Sequence, residues 1–212
     1  MNLILLGAPG SGKGTQGEFL EKKLGNIKIS TGDLLREEIE SQTEVGKQVQ
    51  KLVSEGKFAS NETVVDLVRK KISQNLKQGF MLDGFPRNID QAEELEVILK
   101  GLSAKIDYVI NFDVEDKEIL RRIFGRFSCV NCKANYHKSS KMPKKEGVCD
   151  ECGGTKFVTR KDDTEEVVRR RLEEYRKQTL PLVQYYEGKG VLINIDANDQ
   201  IDKIQKKIES II

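Results

Sequence analysis

The segment GAPGSGKGT, Gly7 to Thr15, concentrates four glycines and a lysine within nine residues. Gly7, Gly12 and Lys13 match G-x-x-x-x-G-K, the pattern of a phosphate-binding loop. Such a loop turns backbone N–H groups towards phosphate oxygens, a helix N-terminus adds partial positive charge, and the lysine reaches the outer phosphates. An apolar run precedes the segment and a helical pattern follows it, as this loop requires. This context favours a nucleoside triphosphate site over a glycine-rich turn without a ligand.

Two details of the segment indicate which kind of nucleotide-binding loop it forms. The usual loop has Ser or Thr directly after the lysine, whereas here Gly14 intervenes and the hydroxyl comes at Thr15. Gly12, Gly14 and Gly17 also match G-x-G-x-x-G, the dinucleotide fingerprint. That fingerprint needs its first glycine at the end of a strand, and Gly12 lies too far along the chain. We interpret the second match as coincidence.

Two further segments supply candidate binding groups for a second substrate. STGDLLR, Ser30 to Arg36, offers a helix cap and then an arginine able to contact a phosphate through two nitrogens. LDGFPRNIDQ begins with Asp83, suited to hold Mg²⁺ through water, and contains Arg87, a second phosphate ligand. Gln91 carries a donor and an acceptor, the complement of an adenine edge. Each segment alone could be a plain cap or turn, but together they favour a substrate site.

Arginines flank a segment that contains all four cysteines. RRIFGR places Arg122 and Arg126 four residues apart, on one face of a predicted helix. Arg160 and Arg171 lie on the other side of the cysteines. Phosphoryl transfer needs cations at several angles around the transferred group. We predict that Arg121, Arg169 and Arg170 instead form a solvated helix face.

The cysteines occur as C-V-N-C, sixteen residues, then C-D-E-C. This spacing is typical of a structural zinc site with four thiolate ligands and no open position for catalysis. A zinc ion would stabilise an insert too small to form a core of its own. His137 is the only histidine, and because four cysteines complete the ligand set we predict a surface or packing role for it.

Five short apolar runs alternate with helical patterns along the rest of the chain, which predicts a doubly wound α/β fold. Runs without polar alternation indicate strands that are buried on both faces of a parallel sheet. Ligands bind beyond the carboxyl ends of such strands, where the candidate residues lie. The predicted strands are Leu3–Leu6, Ile27–Ile29, Phe80–Leu82, Tyr108–Phe112 and Val191–Ile195, and a continuous helix is predicted from Glu165 to Tyr186.

Composition restricts the function classes. The formal net charge is only +2 although a third of the 212 residues are charged, so no global field predicts a nucleic-acid partner. No apolar run approaches the roughly 20 residues of a membrane span, and the N-terminal run is too short for a signal peptide. We expect a soluble, cytoplasmic protein without a membrane partner.

The phosphate loop, ISTGDLLR and LDGFPR resemble the adenylate kinase family of nucleoside monophosphate kinases in order and approximate separation, over essentially the whole chain. GxxxxGKGT is that family's variant of the loop. The resemblance implies reversible phosphoryl transfer, ATP + AMP = 2 ADP, with Mg²⁺ and by direct in-line transfer. It also implies a monomer and a structural Zn²⁺ held by Cys129, Cys132, Cys149 and Cys152. A UMP/CMP kinase or another monophosphate kinase of this fold remains the alternative.

The resemblance further implies a role for each candidate residue. The catalytic cations would be Lys13, Arg87, Arg122, Arg126, Arg160 and Arg171. ATP would contact Gly10, Ser11, Gly12, Lys13, Gly14, Thr15, Arg122, Arg126, Asn135 and Tyr136. AMP would contact Thr31, Arg36, Lys57, Phe58, Ala59, Gly84, Phe85, Pro86, Arg87, Gln91, Arg160 and Arg171. Thr15 and Asp83 would hold magnesium through water.

The implied fold is a five-stranded parallel sheet with helices on both faces and two excursions. The core would comprise residues 1–29, 60–122 and 164–212. Residues 30–59, here called segment 30–59, would be a small helical AMP-binding subdomain. Residues 123–163, here called the lid segment, would be a zinc-binding lid over ATP, with Asp162 and Asp163 supporting its return hinge.

Two interpretations from other classes stay open to test. A regulatory GTPase would share the phosphate loop, but the sequence has no N-K-x-D guanine signature. A zinc ribbon that binds nucleic acid, with an ATPase module, would use the lysines of the lid segment; it predicts salt-sensitive binding of RNA or DNA.

Overall fold

The computed structural model describes residues 1–55, 57, 59–160 and 162–212. These residues form a five-stranded parallel sheet with the strand order β2-β3-β1-β4-β8. The strands are β1 (Leu3–Gly7), β2 (Ile27–Ser30), β3 (Phe80–Asp83), β4 (Tyr108–Asp113) and β8 (Leu192–Asp196). The predicted α/β class and all five predicted strands are confirmed.

Alternate residues of the central strand pack on opposite faces of the sheet, as the two-residue period of a strand requires. Ile4 and Leu6 lie in a core with α4 (Asn61–Asn75), α5 (Ile89–Gly101) and α8 (Leu182–Gly188). Leu3 and Leu5 lie in the opposite core, which includes residues of α1 (Lys13–Leu24) and α9 (Ile201–Glu209). Helices therefore cover both faces, which explains why the strands lack polar alternation.

Segment 30–59 leaves the sheet as two helices, α2 (Thr31–Glu40) and α3 (Glu44–Ser54). The Ser30 hydroxyl accepts the N–H of Asp33 and caps α2, whereas Thr43 caps α3 in the same way through Gly46. Helix α3 lies so close to α2 that a Cβ atom on Gly46 would overlap the backbone carbonyl of Glu38. The two helices thus form one tightly packed unit.

The lid segment contains a small antiparallel sheet of three strands, in the order β6-β5-β7. Helix α6 (Asp116–Gly125) leads into β5 (Arg126–Cys129), which pairs with β6 (Asn135–His137) and β7 (Phe157–Val158). The prediction that Arg122 and Arg126 share a helix face is wrong, because Arg126 has extended backbone angles and begins β5. The chain changes direction at Gly125, where a side chain would overlap the His137 ring.

The continuous helix predicted from Glu165 to Tyr186 is also wrong. Helix α7 (Glu165–Glu174) passes into a π-helical turn, Tyr175–Thr179, and then into α8. Pro181 precedes α8, and a proline has no N–H to continue the ladder of a long helix. The change of path brings the Thr179 hydroxyl to the backbone carbonyl of Arg87, 2.8 Å away.

None of the helices in the described part of the chain has both the length and the apolar character that a membrane span requires.

Candidate active site

The phosphate loop lies between β1 and α1, at the carboxyl edge of the sheet. Gly10 and Gly12 have φ angles of 84° and 99°, which side chains rarely tolerate. Gly10 also packs against Ile123, and a Cβ there would press into that side chain. The Lys13 ammonium donates to the carbonyls of Gly7 and Ala8, at 2.6 and 2.8 Å. The loop is thus curled around its lysine, in the shape that phosphate binding by main-chain amides needs.

Burial lowers the pKa of Lys13 to about 8. The Asp83 carboxylate raises this pKa, while Arg87 and Arg126 lower it. The charged ammonium is therefore poorly compensated by its surroundings. An anion placed at the loop would supply the missing negative charge.

Thr31 and Arg36 begin the path from β2 into segment 30–59. The Thr31 hydroxyl donates to the Gly84 carbonyl, 2.8 Å away, which ties the end of β2 to the end of β3. The Arg36 guanidinium pairs with Asp33 at 2.5 Å. Lys57 and Ala59 lie at the end of the segment and line a cavity that Thr31 and Arg36 also line. Phe58 lies outside the described residues.

The third strand brings Asp83, Arg87 and Gln91 to the same edge. An ideal Cβ on Gly14 would lie 3.9 Å from Asp83 Oδ2, so this carboxylate lies beside the phosphate loop. Arg87 donates through Nε to the Gly84 carbonyl at 2.8 Å. Burial, and then the charge of Arg171, lowers the pKa of Arg87 to about 10. Asp83 thus lies among several positively charged side chains.

Gln91 is 2 % exposed and already has protein partners at both ends of its amide. Its oxygen accepts the Arg87 N–H at 2.8 Å, and its nitrogen donates to Asn61 Oδ1 at 2.9 Å. Asn88 caps α5 by accepting the N–H of Gln91. The amide therefore has a fixed orientation, with one further donor and one further acceptor position to offer.

The arginines around the lid segment are each oriented by specific partners. Arg122 donates to Glu118 at 2.7 Å, to the Ser11 carbonyl at 3.2 Å and to the Ala197 carbonyl at 2.7 Å. Arg126 pairs through two nitrogens with Asp163, and Arg171 pairs with Asp162. Both aspartates lie at the end of the lid segment, shortly before α7.

Arg160 lies near two other arginines of the site. Burial, and then the charges of Arg126 and Arg36, lowers its pKa to about 10. Among the three arginines predicted to be solvated, Arg121 and Arg169 are exposed and pair with Glu118 and Glu165. Arg170 departs from the prediction, because it also donates to the Glu55 carbonyl of segment 30–59 at 3.1 Å.

One cavity of about 360 Å³ connects these groups. Its lining residues come from the phosphate loop, the ends of β2 and β3, segment 30–59, α6, the lid segment and the π-helical turn. It includes the residues Lys13, Thr15, Asp83, Gln91, Asn135, Tyr136 and the arginines 36, 87, 122, 126, 160 and 171. Arg121, which was predicted only to be solvated, also lines it. Candidate residues that are far apart in the chain therefore line one cavity.

The four cysteines converge within the lid segment, and their sulfur atoms all lie within 4.8 Å of one another. The Cys129–Cys152 and Cys132–Cys149 sulfurs are 3.6 and 3.5 Å apart. These separations are far longer than a disulfide bond. Zn–S bonds of about 2.3 Å in a tetrahedron separate the sulfurs by about 3.8 Å. The four thiols thus fit a metal ion that they surround completely.

The whole sequence matches a known enzyme family. A family model described as adenylate kinase matches residues 5–191. The chain belongs to the adenylate kinase family. It is 47% identical over 209 residues to the adenylate kinase of Caldicellulosiruptor saccharolyticus, covering 98% of this chain and 97% of that protein. It is 44% identical over 213 residues to the adenylate kinases of Rhizobium etli and Archaeoglobus fulgidus, covering all of this chain and 99% and 98% of theirs.

As an adenylate kinase, the chain is an enzyme with the reaction ATP + AMP = 2 ADP. Its substrates are ATP, AMP and ADP, and adenylate kinases use Mg²⁺ with ATP. The resemblance that the sequence motifs indicated is confirmed.

The adenylate kinase site contains supporting groups that the motifs do not reveal. Glu118 and the Ala197 carbonyl orient Arg122, Asn61 fixes the Gln91 amide, and Thr179 contacts the backbone of Arg87. Asn88 could have been found, since an asparagine before a helical pattern indicates a cap. Asn61 and Thr179 have no local signal, because their roles depend on contacts across the fold.

Glu18 of α1 forms hydrogen bonds to residues of the lid segment in this adenylate kinase fold. Its two oxygens accept from Asn135 Nδ2 at 2.7 Å and from Lys141 Nζ at 3.0 Å. Asn135 belongs to the lid segment, so Glu18 docks the lid segment onto the helix that follows the phosphate loop. His137 packs at the hinge, with its ring nitrogens near the Arg121 carbonyl and the Ser139 and Ser140 amides.

Proposed function

We propose that the enzyme moves the terminal phosphoryl group of ATP directly onto a phosphate oxygen of AMP, in line and reversibly. The observation that carries this proposal is one cavity that is lined by Lys13 and seven arginines. Residues of the phosphate loop and of the lid segment line this cavity, and so do Gln91 and residues of segment 30–59. Such an arrangement suits two nucleotides placed with their phosphates facing each other.

At the donor end, the phosphates of ATP would accept main-chain N–H groups of the loop and the Lys13 ammonium. The loop residues are Gly10, Ser11, Gly12, Lys13, Gly14 and Thr15. Arg122 and Arg126 would contact the outer phosphates, and Asn135 and Tyr136 would lie near the base. The position of Asp83 beside the loop supports a magnesium site held through water by Thr15 and Asp83, where the ion would neutralise phosphate charge.

At the acceptor end, Arg36, Arg87, Arg160 and Arg171 would hold the AMP phosphate. The fixed Gln91 amide would bind the adenine edge through its second donor and acceptor positions. The remaining contacts would come from Thr31, Lys57, Phe58, Ala59, Gly84, Phe85 and Pro86. The close approach of the Gly84 backbone to Thr31 and Arg87 supports a ligand contact along this turn.

The chemistry needs alignment, charge stabilisation and exclusion of water rather than a protein base. A phosphate oxygen of AMP is already anionic and can attack directly. The lowered pKa values of Lys13, Arg87 and Arg160 reflect cations that burial and mutual repulsion destabilise. Negative charge that spreads over the transferred oxygens would relieve this repulsion.

The lid segment would close over ATP, as lids of adenylate kinases do, and segment 30–59 over AMP, while residues 1–29, 60–122 and 164–212 form the core. Zinc is the proposed metal at the four cysteines, and it would contribute structure rather than chemistry. Reduced thiols favour a reducing compartment such as the cytoplasm. We propose a monomer that binds neither nucleic acid nor membranes.

The proposed acceptor is tested by comparing AMP with UMP, CMP and GMP in a coupled assay of ADP formation from ATP. We expect strong preference for AMP; preference for UMP or CMP would instead indicate a pyrimidine nucleotide kinase. Turnover stimulated by RNA or DNA and indifferent to AMP would overturn the proposal.

Gln91→Leu tests the placement of the adenine. We expect the KM for AMP to rise about 10- to 100-fold, because the base would lose one to two hydrogen bonds in a buried site, with little change in the KM for ATP. Gln78→Leu is the matched control, since the Gln78 side chain is exposed and donates to the Gly25 carbonyl. Equal effects of Gln91→Leu on both KM values would remove Gln91 from the acceptor site.

A further inference from the structure

Tyr136 faces the cysteine cluster with its side chain, although the strand that carries it borders the cavity. In β6, Asn135 points to Glu18 of α1, and the next side chain points to the opposite side. There Tyr136 packs with Cys129 and Cys149 and is 3 % exposed. Tyr136 thus connects the donor end of the cavity with the proposed metal site.

The Tyr136 hydroxyl has two partners beside the cluster. Its oxygen accepts the backbone N–H of Asp150 at 2.7 Å and lies 3.3 Å from the Cys149 sulfur. Because Asp150 supplies the proton in the first contact, the hydroxyl's own proton is available for the sulfur. A thiolate ligand of a metal can only accept, so the donor and acceptor roles match.

The ring of Tyr136 is held by aromatic contacts that do not depend on the hydroxyl. It stacks on Phe127 with the ring centroids 5.7 Å apart, and it meets Phe157 edge-to-face at 5.6 Å. The Lys141 ammonium lies 5.8 Å from the ring centroid. Removing only the oxygen would therefore leave the ring in place and take a hydrogen bond from the sulfur.

We infer that Tyr136 is a positioning residue for the metal, and that its hydroxyl orients and stabilises the Cys149 thiolate through an O–H···S hydrogen bond. Groups that hydrogen-bond to metal ligands typically change metal affinity by about 10- to 100-fold when they are removed. This inference rests on the proposed structural metal site.

Tyr136→Phe in the full chain tests the inference. Zn²⁺ and Co²⁺ affinities would be measured by competition with a chelator, and the thiolate-to-cobalt charge-transfer band by absorbance. We expect an affinity about 10- to 100-fold lower than that of the parent and a shifted band, because one sulfur loses its hydrogen bond. Tyr185→Phe is the matched control, since the Tyr185 hydroxyl contacts Glu96, and it should leave both measurements unchanged.

The possible outcomes separate the role of Tyr136 from the metal site itself. A parent protein that binds neither ion would refute the proposed site. A parent that binds both ions, with affinity and band unchanged in Tyr136→Phe, would refute only the role of Tyr136. In ¹¹³Cd-loaded parent protein, which needs no substitution, we expect scalar coupling between the Tyr136 hydroxyl proton and cadmium. An observable but uncoupled hydroxyl proton would also overturn the inference.

Discussion

At the scale of single residues, the site is defined by cations that the fold does not fully neutralise. Lys13 is the clearest example, because burial lowers its pKa to about 8 while its hydrogen bonds go to carbonyl groups. Carbonyl dipoles stabilise an ammonium less than a phosphate anion would. A ligand of strongly negative charge would therefore stabilise the charged form of Lys13.

The lowered pKa of Lys13 leads to a prediction about protons. Near pH 8 about half of the Lys13 side chains are neutral in the free enzyme. Bound phosphates favour the charged form, so binding must raise this pKa and take up protons. We expect uptake of about half a proton per ATP at pH 8, measured by isothermal titration calorimetry in buffers of different ionisation enthalpy.

Because ATP binding favours charged Lys13, we also expect the affinity for ATP to fall as the pH rises through 8. A larger fraction of Lys13 must then take up a proton on binding, which makes the binding free energy less favourable. Lys13→Arg is the control, because arginine stays charged across this range and should abolish the proton uptake. Equal calorimetric heats in all buffers, after correction for ATP itself, would contradict the lowered pKa.

At the scale of elements, two glycines allow close contacts that shape the two ends of the cavity. Gly46 lets α3 approach the carbonyl of Glu38 in α2, and Gly125 leaves room for the His137 ring at the start of the lid segment. A side chain at Gly46 would meet the backbone of α2 and must displace a helix, whereas one at Gly125 would meet the His137 ring, which must move. The two glycines therefore offer separate tests of the two ends.

We expect Gly46→Ala to raise the KM for AMP and Gly125→Ala to raise the KM for ATP, each with less effect on the other substrate. Overpacking costs about 1–3 kcal/mol, and if this cost falls on the substrate-binding form the KM rises about 5-fold or more. Gly101→Ala is the matched control, because nothing lies within 4 Å of a Cβ at that helical position. Steady-state kinetics with each substrate varied would show the separation, and equal effects of both variants on both KM values would refute it.

At the scale of the whole molecule, charged contacts join the lid segment to the rest of the chain. Lys22 of α1 pairs with Glu151 at 2.6 Å, and Lys133 approaches Glu40 of α2 at 3.4 Å. Both pairs are exposed, and such pairs contribute only about 0–1 kcal/mol each. Contacts this weak would allow the proposed lid to open, and they add little to the internal stability of the lid segment.

We expect that stability to come from the metal. Removing it with a chelator under reducing conditions should unfold the lid segment and leave the parallel sheet folded. An ion at a concentration a thousandfold above its Kd contributes about 4 kcal/mol to the free energy of unfolding of the lid segment. Without the ion, amide exchange in β5–β7 should therefore accelerate about 1,000-fold, while β1 stays protected. Hydrogen exchange with mass spectrometry measures both regions. Cys149→Ser should behave like the chelated protein, and unchanged metal content and melting in that variant would exclude the metal as the source of stability.

Much of the fold and of the site could be predicted from local patterns. The five strands follow from apolar runs buried on both faces, and the phosphate loop follows from glycines and a lysine between a strand and a helix. The bounds of helix α3, which lies in a segment predicted to be helical, and the break between α7 and α8 were not predicted. The first has only a short amphipathic pattern, and the second depends on a π-helical turn that packs Thr179 against Arg87.

The sequence by itself determined the class of fold, the nucleotide-phosphate loop and the four-cysteine cluster, because each depends on residues that are close in the chain. The tertiary structure decided the partners of those residues: Glu118 for Arg122, Asn61 for Gln91, Glu18 for Asn135, and the cysteines for the Tyr136 hydroxyl. Such contacts join residues whose side chains could equally well face solvent. Their directions depend on how strands and helices pack, which no local pattern records.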